Sequence, residues 1–278
     1  MRIARYLIIG GWLAASLSSG LAARAAAPEG PRTSLLFVWG NGVWQPGQPL
    51  PAGRDWLALA CSSGGCALEP ATLTVKPEFW QGHYDDRPSY GQRLNFERKG
   101  VSGATVVVWL RAAATAPWLK PGAVKTHYSP QHTMKQPSRR GTLEALIDLP
   151  GGAVAHLVPM LVAKGERHPL REAQRDWPTV LLQLRADGKR QLLQGELGHC
   201  SGTLHPQRYL LWAGDLDADG RPDYLISFID ADGPVHLYLS SVARAGELVG
   251  LAAVYQAPPH GGECSPGGYM ADGELGGS

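Results

Sequence analysis

Four aspartates stand at nearly alternate positions in one short stretch, "GDLDADGRPD" (214–223). Carboxylates this close repel one another unless a positive charge compensates them, and the stretch contains no lysine. Calcium is a hard cation that takes about six to eight oxygen ligands from loop positions 1, 3, 5 and 9 and the carbonyl of position 7, with glycine at 6. The spacing therefore predicts a calcium site whose ligands are Asp215, Asp217, Asp219, the main-chain carbonyl of Arg221, and Asp223.

The residues that follow this loop are typical of a strand and not of a helix. An EF-hand needs a glutamate at position 12, whereas this chain has Ile226 there, within the apolar run "DYLISFI". The pattern D-x-D-x-D-G-x-x-D leading into a strand resembles the calcium loop of FG-GAP or integrin-type (VCBS-like) repeats, over residues 209–240. That resemblance implies a structural calcium ion bound by the same four acids and the Arg221 carbonyl. The alternative is a solvated acidic turn without an ion.

Proteins with FG-GAP repeats contain several such loops arranged in a propeller, but this chain contains one copy. A propeller is therefore not expected, and we expect a single calcium loop built into a β-sandwich. At free calcium about 100-fold above the dissociation constant, such an ion stabilises the fold by about 2.7 kcal/mol.

The elements that must position this loop are predicted to be short strands. With 35 Gly and 22 Pro among 278 residues, the chain contains many turns, and the runs between them alternate apolar with polar residues, as in "ATLTV". Asp-Gly pairs at 187–188 and 232–233, each between apolar runs, predict tight hairpins. No long stretch has helical periodicity. The predicted fold class is all-β, with antiparallel sandwich-like sheets, two β-regions and few short helices.

The predicted organisation follows the composition along the chain. Residues 1–27 form a signal peptide, 28–118 an N-terminal β-region, 119–141 an irregular linker or loop, 142–264 a C-terminal β-region with the calcium loop, and 265–278 a flexible tail.

The first 27 residues combine Arg2 and Arg5 with an apolar run and an alanine-rich end, as secretory signal peptides do. We expect cleavage between Ala25 and Ala27 and no membrane span afterwards; an uncleaved anchor over 6–23 is the alternative. Cleavage removes three arginines, which leaves 23 basic against 24 acidic residues and gives no reason to expect a nucleic-acid partner. The predicted location is periplasmic or secreted.

Four cysteines in an exported chain predict disulfides. Cys61 and Cys66 flank "SSGG", a turn between apolar runs, so they face each other across a hairpin. Cys200 and Cys264 are paired by elimination. Metal binding is the alternative, although no pair has C-x-x-C spacing.

No arrangement of residues supports a catalytic assignment. "GHCSG" around Cys200 has the outline of a hydrolase nucleophile turn, but the helical crossovers of that fold are missing. The nine histidines include no H-E-x-x-H motif. Asp85 or Asp86 with Glu144 would suit a glycan hydrolase if the carboxylates faced each other across a cleft.

Eight tryptophans remain after cleavage, among them Trp39 and Trp44, and they suit either core anchoring or a stacking surface for glycans. We expect an exported, non-catalytic, calcium-stabilised β protein with a binding or scaffolding role at the bacterial cell envelope. Its expected partner is an envelope protein or a glycan, through ligand-binding residues that remain unknown. The alternative is a secreted hydrolase of envelope polymers or glycans in which calcium is a structural ion.

Overall fold

The computed structural model describes residues 30–41, 43–46, 50–80, 89–100, 103–111, 116–129, 144–163, 166–169, 180–197, 209–228 and 234–255. The predicted signal peptide, the pair Cys200 and Cys264, and the predicted tail lie outside the described residues. No helix in the described ranges is long and apolar enough to cross a membrane.

The described residues form sixteen strands, and every pairing between them is antiparallel. The all-β prediction is therefore confirmed, with one short 3-10 turn at Pro150–Gly152. The strands are β1 Leu36–Val38, β2 Val43–Pro46, β3 Gly53–Ser62, β4 Gly65–Trp80, β5 Ser89–Arg98, β6 Thr105–Arg111, β7 Gly122–Tyr128, β8 Ala145–Asp148, β9 Val154–Ala163, β10 Glu166–Pro169, β11 Val180–Ala186, β12 Lys189–Glu196, β13 Leu210–Asp215, β14 Asp223–Ser227, β15 Val235–Leu239 and β16 Gly250–Tyr255.

Eleven strands form one large sheet that curls into a nearly closed barrel. Its strand order is β1-β6-β3-β4-β7-β13-β14-β15-β16, with β5 beside β4 and β2 beside β5. The two ends of this order meet, because the Arg32 N–H donates a 2.9 Å hydrogen bond to the Leu251 carbonyl and the rings of Phe37 and Tyr255 lie 6.1 Å apart. Aromatic side chains pack in its core, where Phe96 stacks on Trp109 with ring centroids 4.5 Å apart and forms a T-shaped pair with Trp56 at 5.1 Å.

The remaining strands form a second sheet, in the order β10-β9-β11-β12 with β8 beside β9. It packs against one face of β13–β16, where Tyr224 and Ile226 share a core with Leu157 and Leu182. Leu225 and Leu237, on the opposite face of β14 and β15, belong to the barrel core. Since both faces are covered, every residue of β14 and β15 is buried, which explains why these segments read as continuous apolar runs.

Strand β7 lies inside the segment 119–141 that was expected to be irregular, and that expectation is wrong for Gly122–Tyr128. The strand pairs with β4 through Val124 and Cys66, and with β13 through Tyr128 and Ala213. Only Val124 and Tyr128 are buried, so the apolar signal in this strand is too sparse to be read as periodicity. The large sheet thus takes strands from both sides of the predicted linker.

Two predicted local features are present. Asp187 and Gly188, with φ angles of 49° and 72°, form the two-residue turn between β11 and β12, and their positive φ values fit the type I′ hairpin. β14 and β15 pair as neighbours, although the predicted turn at 232–233 lies outside the described residues.

The Cys61–Cys66 disulfide is formed across the β3–β4 hairpin, with a Cα–Cα distance of 4.0 Å. The predicted bridge between Cys200 and Cys264 stays a prediction, since neither residue is described.

Candidate metal site at the aspartate loop

The aspartate loop connects β13 to β14, two strands that pair directly through Gly214 and Asp223. Asp215 ends β13 and Asp223 begins β14, so the sheet fixes both ends of the loop. Gly214 is needed because a Cβ at this position would lie 2.4 Å from the Lys125 carbonyl oxygen of β7. Gly220, at loop position 6, adopts a φ of 85°, which side chains disfavour.

The loop brings three of the predicted ligands together. One carboxylate oxygen from each of Asp215, Asp217 and Asp223 lies within 4.8 Å of the others. Two oxygens on opposite sides of one calcium ion lie at most about 5 Å apart, because each Ca–O distance is about 2.3–2.6 Å. We call these residues the aspartate triad, and its dimensions fit one calcium ion.

One carboxylate oxygen of the triad residues has no hydrogen-bond partner in the described part of the chain. Oδ1 of Asp215 is buried and has no hydrogen-bond partner there, while Oδ2 accepts the Gly220 N–H at 3.1 Å. A buried oxygen without a donor is costly, and a bound cation would satisfy it.

Burial disfavours the ionised form of two of the triad carboxylates. Asp223 is fully buried, and burial together with the nearby Asp217 carboxylate raises its pKa to about 8. Asp217 is 9% exposed, and burial also raises its pKa. A divalent cation at this position would favour the ionised form of both side chains, which is the form that binds metal.

Asp219 does not join the triad, although its spacing predicts a ligand. Its two oxygens accept hydrogen bonds from the Ser240 hydroxyl at 2.9 and 2.8 Å, and the Arg221 guanidinium donates to Oδ2 from Nη2 at 2.8 Å and from Nε at 3.1 Å. Burial raises the pKa of Asp219, but hydrogen bonds from the Arg221 N–H and the Ser240 hydroxyl outweigh it and hold that pKa below its usual value. The Arg221 carbonyl remains a predicted ligand.

Two serines that the sequence reasoning missed hold the loop from the end of β15. The Ser240 N–H donates to Oδ1 of Asp223 at 2.8 Å, and the Ser241 hydroxyl donates to Oδ2 of Asp217. A signal for them existed, because the predicted β14–β15 hairpin places the residues after β15 opposite the start of β14. We refer to Ser240 and Ser241 as the serine clamp.

Among the described residues, none of the other candidates belongs to the triad. The Glu144 carboxylate contacts Nδ1 of His156 in the second sheet, while Asp85, Asp86 and Cys200 lie outside the described residues. Trp39 packs against the barrel core, and the side chain of Trp44 lies outside what is described.

Comparisons with protein-family models, curated proteins and solved structures found no match for this chain. The likeness to FG-GAP loops therefore stands on the residues of the loop and the strands beside it.

Proposed function

We propose that this protein is an exported, non-catalytic β protein whose fold is stabilised by a calcium ion in the aspartate loop, and that it acts in binding or scaffolding at the bacterial cell envelope. The aspartate triad is the observation that supports this proposal best. One oxygen from each of its three carboxylates lies within 4.8 Å of the others. Oδ1 of Asp215 is buried and has no hydrogen-bond partner among the described residues.

The donor set favours calcium over a transition metal. The triad consists of carboxylates, whose oxygens are hard ligands suited to calcium or magnesium, and no histidine or cysteine of the described chain belongs to it. Calcium tolerates irregular geometry and a high ligand number, as offered by three or four carboxylates and a carbonyl in a short loop. In this proposal Asp219 and the Arg221 carbonyl complete the ligand set.

The ion would act as a structural link between strands. Asp215 belongs to β13 and Asp223 to β14, while the serine clamp ties two of the carboxylates to the end of β15. An ion bound by these residues would offset the repulsion among the carboxylates. It would also join β13, β14 and β15, three neighbouring strands whose two faces contribute to the two cores.

The role at the envelope rests on the predicted signal peptide and agrees with the Cys61–Cys66 disulfide, which suits an oxidising compartment. An exposed aromatic pair supports a binding role. Phe79 and Tyr90 are 57% and 76% exposed, and their ring centroids lie 4.0 Å apart on the paired strands β4 and β5. Exposed aromatic rings suit contact with a glycan or with an apolar protein surface.

A thermal melt of the oxidised protein in EDTA and in millimolar calcium tests the calcium proposal. At calcium about 100-fold above the dissociation constant, stabilisation of about 2.7 kcal/mol raises the melting temperature by roughly 5 to 10 °C. The double variant Asp217→Ala/Asp219→Ala should lose this shift, whereas Asp187→Ala, in a turn outside the loop, should keep it. A wild-type melt that calcium leaves unchanged would overturn the proposal.

A further inference from the structure

The side chain of Arg221 and the predicted calcium ion require the same carboxylate. The loop spacing makes Asp219 a ligand, yet the Arg221 guanidinium donates to Oδ2 of Asp219 from two nitrogens, at 2.8 and 3.1 Å. We propose that Arg221 competes with calcium for Asp219 and thereby sets the calcium affinity of the loop. In this exchange Asp219 leaves Arg221 and Ser240 and joins the aspartate triad when the ion binds. The inference rests on the calcium site proposed above.

The main chain of Asp219 already lies beside the triad. Its N–H is 3.3 Å from Oδ1 of Asp217, one of the triad carboxylates. The Asp219 carboxylate is bound by Arg221 and Ser240 and is not among the three whose oxygens lie within 4.8 Å of one another. Rotation about the side-chain bonds of Asp219 can therefore redirect its carboxylate while the loop backbone keeps its place.

The guanidinium contact that holds Asp219 is weak enough for an ion to replace. The Arg221 side chain is 57% exposed and that of Asp219 is 21% exposed, so solvent screens their attraction. An exposed ion pair contributes at most about 1 kcal/mol, which corresponds to roughly a fivefold change in an equilibrium constant. Arg221 is also anchored by a 3.0 Å hydrogen bond from Nη2 to the Ser240 carbonyl, so it can stay in place after Asp219 leaves.

A second cation makes a matched control possible. Lys125 of β7 pairs with Asp215 in the sheet and is exposed, and no hydrogen bond or ion pair joins it to Asp219 in the described structure. Removing the charge of Lys125 changes the electrostatic potential at the loop without releasing Asp219. Removing the charge of Arg221 should change the electrostatic potential and should also release Asp219 from the guanidinium.

The test is a Tb³⁺ luminescence titration with calcium competition, on wild type, Arg221→Met, Lys125→Met, Asp219→Asn, and the two double variants that combine Asp219→Asn with each cation change. We expect Arg221→Met to strengthen calcium binding by roughly two- to fivefold, the range of an exposed ion pair. The gain should disappear in the Asp219→Asn background, because the competition acts through that carboxylate. Any gain from Lys125→Met should be the same in both backgrounds.

Two outcomes would overturn the inference while leaving the calcium site intact. If Arg221→Met gives the same gain with Asn at position 219, the arginine acts through its general electrostatic field. If Arg221→Met weakens binding, the arginine holds the loop in its binding shape. A wild-type protein that binds neither Tb³⁺ nor millimolar calcium would refute both the proposed function and this inference. Melts of each variant in EDTA establish that the variants are folded.

Discussion

The main-chain N–H of Ser240 donates a 2.8 Å hydrogen bond to Oδ1 of Asp223, so the end of β15 holds the carboxylate at the start of β14. The other oxygen, Oδ2, accepts the Leu216 N–H at 2.7 Å. Asp223 thus joins the loop and two strands through buried hydrogen bonds. Asp215 differs, because its buried Oδ1 has no partner in the described structure.

This difference predicts that two isosteric variants behave differently without calcium. In EDTA the stability of the wild type should fall as pH rises towards 8, because the unfolded chain releases the proton of Asp223 at a lower pH than the folded chain, where its pKa is about 8. Asp223→Asn cannot ionise and should lose most of this dependence. Asp215→Asn should keep it, since Asp223 is intact and the buried Oδ1 of Asp215 has no hydrogen bond to lose. Urea denaturation in EDTA at pH 5 and pH 8 measures both variants. Both should lose the calcium response; equal pH dependence in EDTA would contradict this assignment.

Calcium binding should become tighter as pH rises towards 8. The pKa of Asp223 is raised to about 8 by burial and by the Asp217 carboxylate, so the side chain is protonated below that pH and must lose the proton to bind an ion. The apparent affinity should therefore fall by roughly tenfold for each pH unit below 8. Calorimetric titrations at pH 6 and pH 8, in buffers of different ionisation enthalpy, measure both affinity and proton release. Equal affinities without proton release would rule this out.

A buried histidine should make the fold sensitive to acid independently of the loop. His236 is 8% exposed, its Nδ1 lies 3.2 Å from the Tyr238 hydroxyl, and burial lowers its pKa to about 4. The unfolded chain binds this proton near pH 6.5, so stability from His236 is present above 6.5 and is lost as pH falls towards 4. The loss should be on the order of 3 kcal/mol.

Asp223 titrates in the opposite direction, because its raised pKa makes the ion-free fold gain stability as pH falls from about 8. The effect of His236 is therefore measured as a difference. The unfolding free energy of the wild type minus that of His236→Gln, both in EDTA, should fall as pH drops from 6.5 to 4. Two parallel curves across this range would show that His236 does not titrate as described.

The ion pair between Arg32 and Glu247 should contribute to closing the barrel. Nη1 and Nη2 of Arg32 contact the two Glu247 oxygens at 2.5 and 2.9 Å, and Nη1 also donates to the Val242 carbonyl at 3.0 Å. Because the two side chains are only 15% and 28% exposed, Arg32→Ala should lower unfolding free energy by about 1–3 kcal/mol.

Arg93 offers a matched comparison. It pairs with Glu78 across two adjacent strands, and these side chains are 36% and 33% exposed. Arg93→Ala should therefore cost clearly less than Arg32→Ala in the same urea experiment. Comparable losses for the two alanine variants would argue against a role for Arg32 in barrel closure.

Local features of this fold could be read from the sequence. The Asp187-Gly188 turn and the Cys61–Cys66 hairpin depend on neighbouring residues only, so turn chemistry and spacing suffice to predict them. The approach of three loop carboxylates was likewise predictable, since consecutive ligands of one loop need no distant partner.

Contacts between distant segments could not be read in this way. Nothing in the residues around Arg32 indicates a partner 215 positions away, and β7 pairs on both edges with too few apolar residues to show a strand period. Asp219 was placed among the ligands by spacing alone. Its preference for Arg221 and Ser240 depends on how the end of β15 lies against the loop, which only the assembled hairpin determines.

The meeting of β1 with β16 has a consequence for the order in which the chain can fold. The barrel cannot close until Gly250–Tyr255 have emerged from the ribosome, because their hydrogen bonds go to residues near the start of the described chain. Pairings of such high contact order form slowly. The barrel must therefore stay open for most of the synthesis of the chain. A chain truncated before β16 would leave the edge of the sheet at β15 exposed.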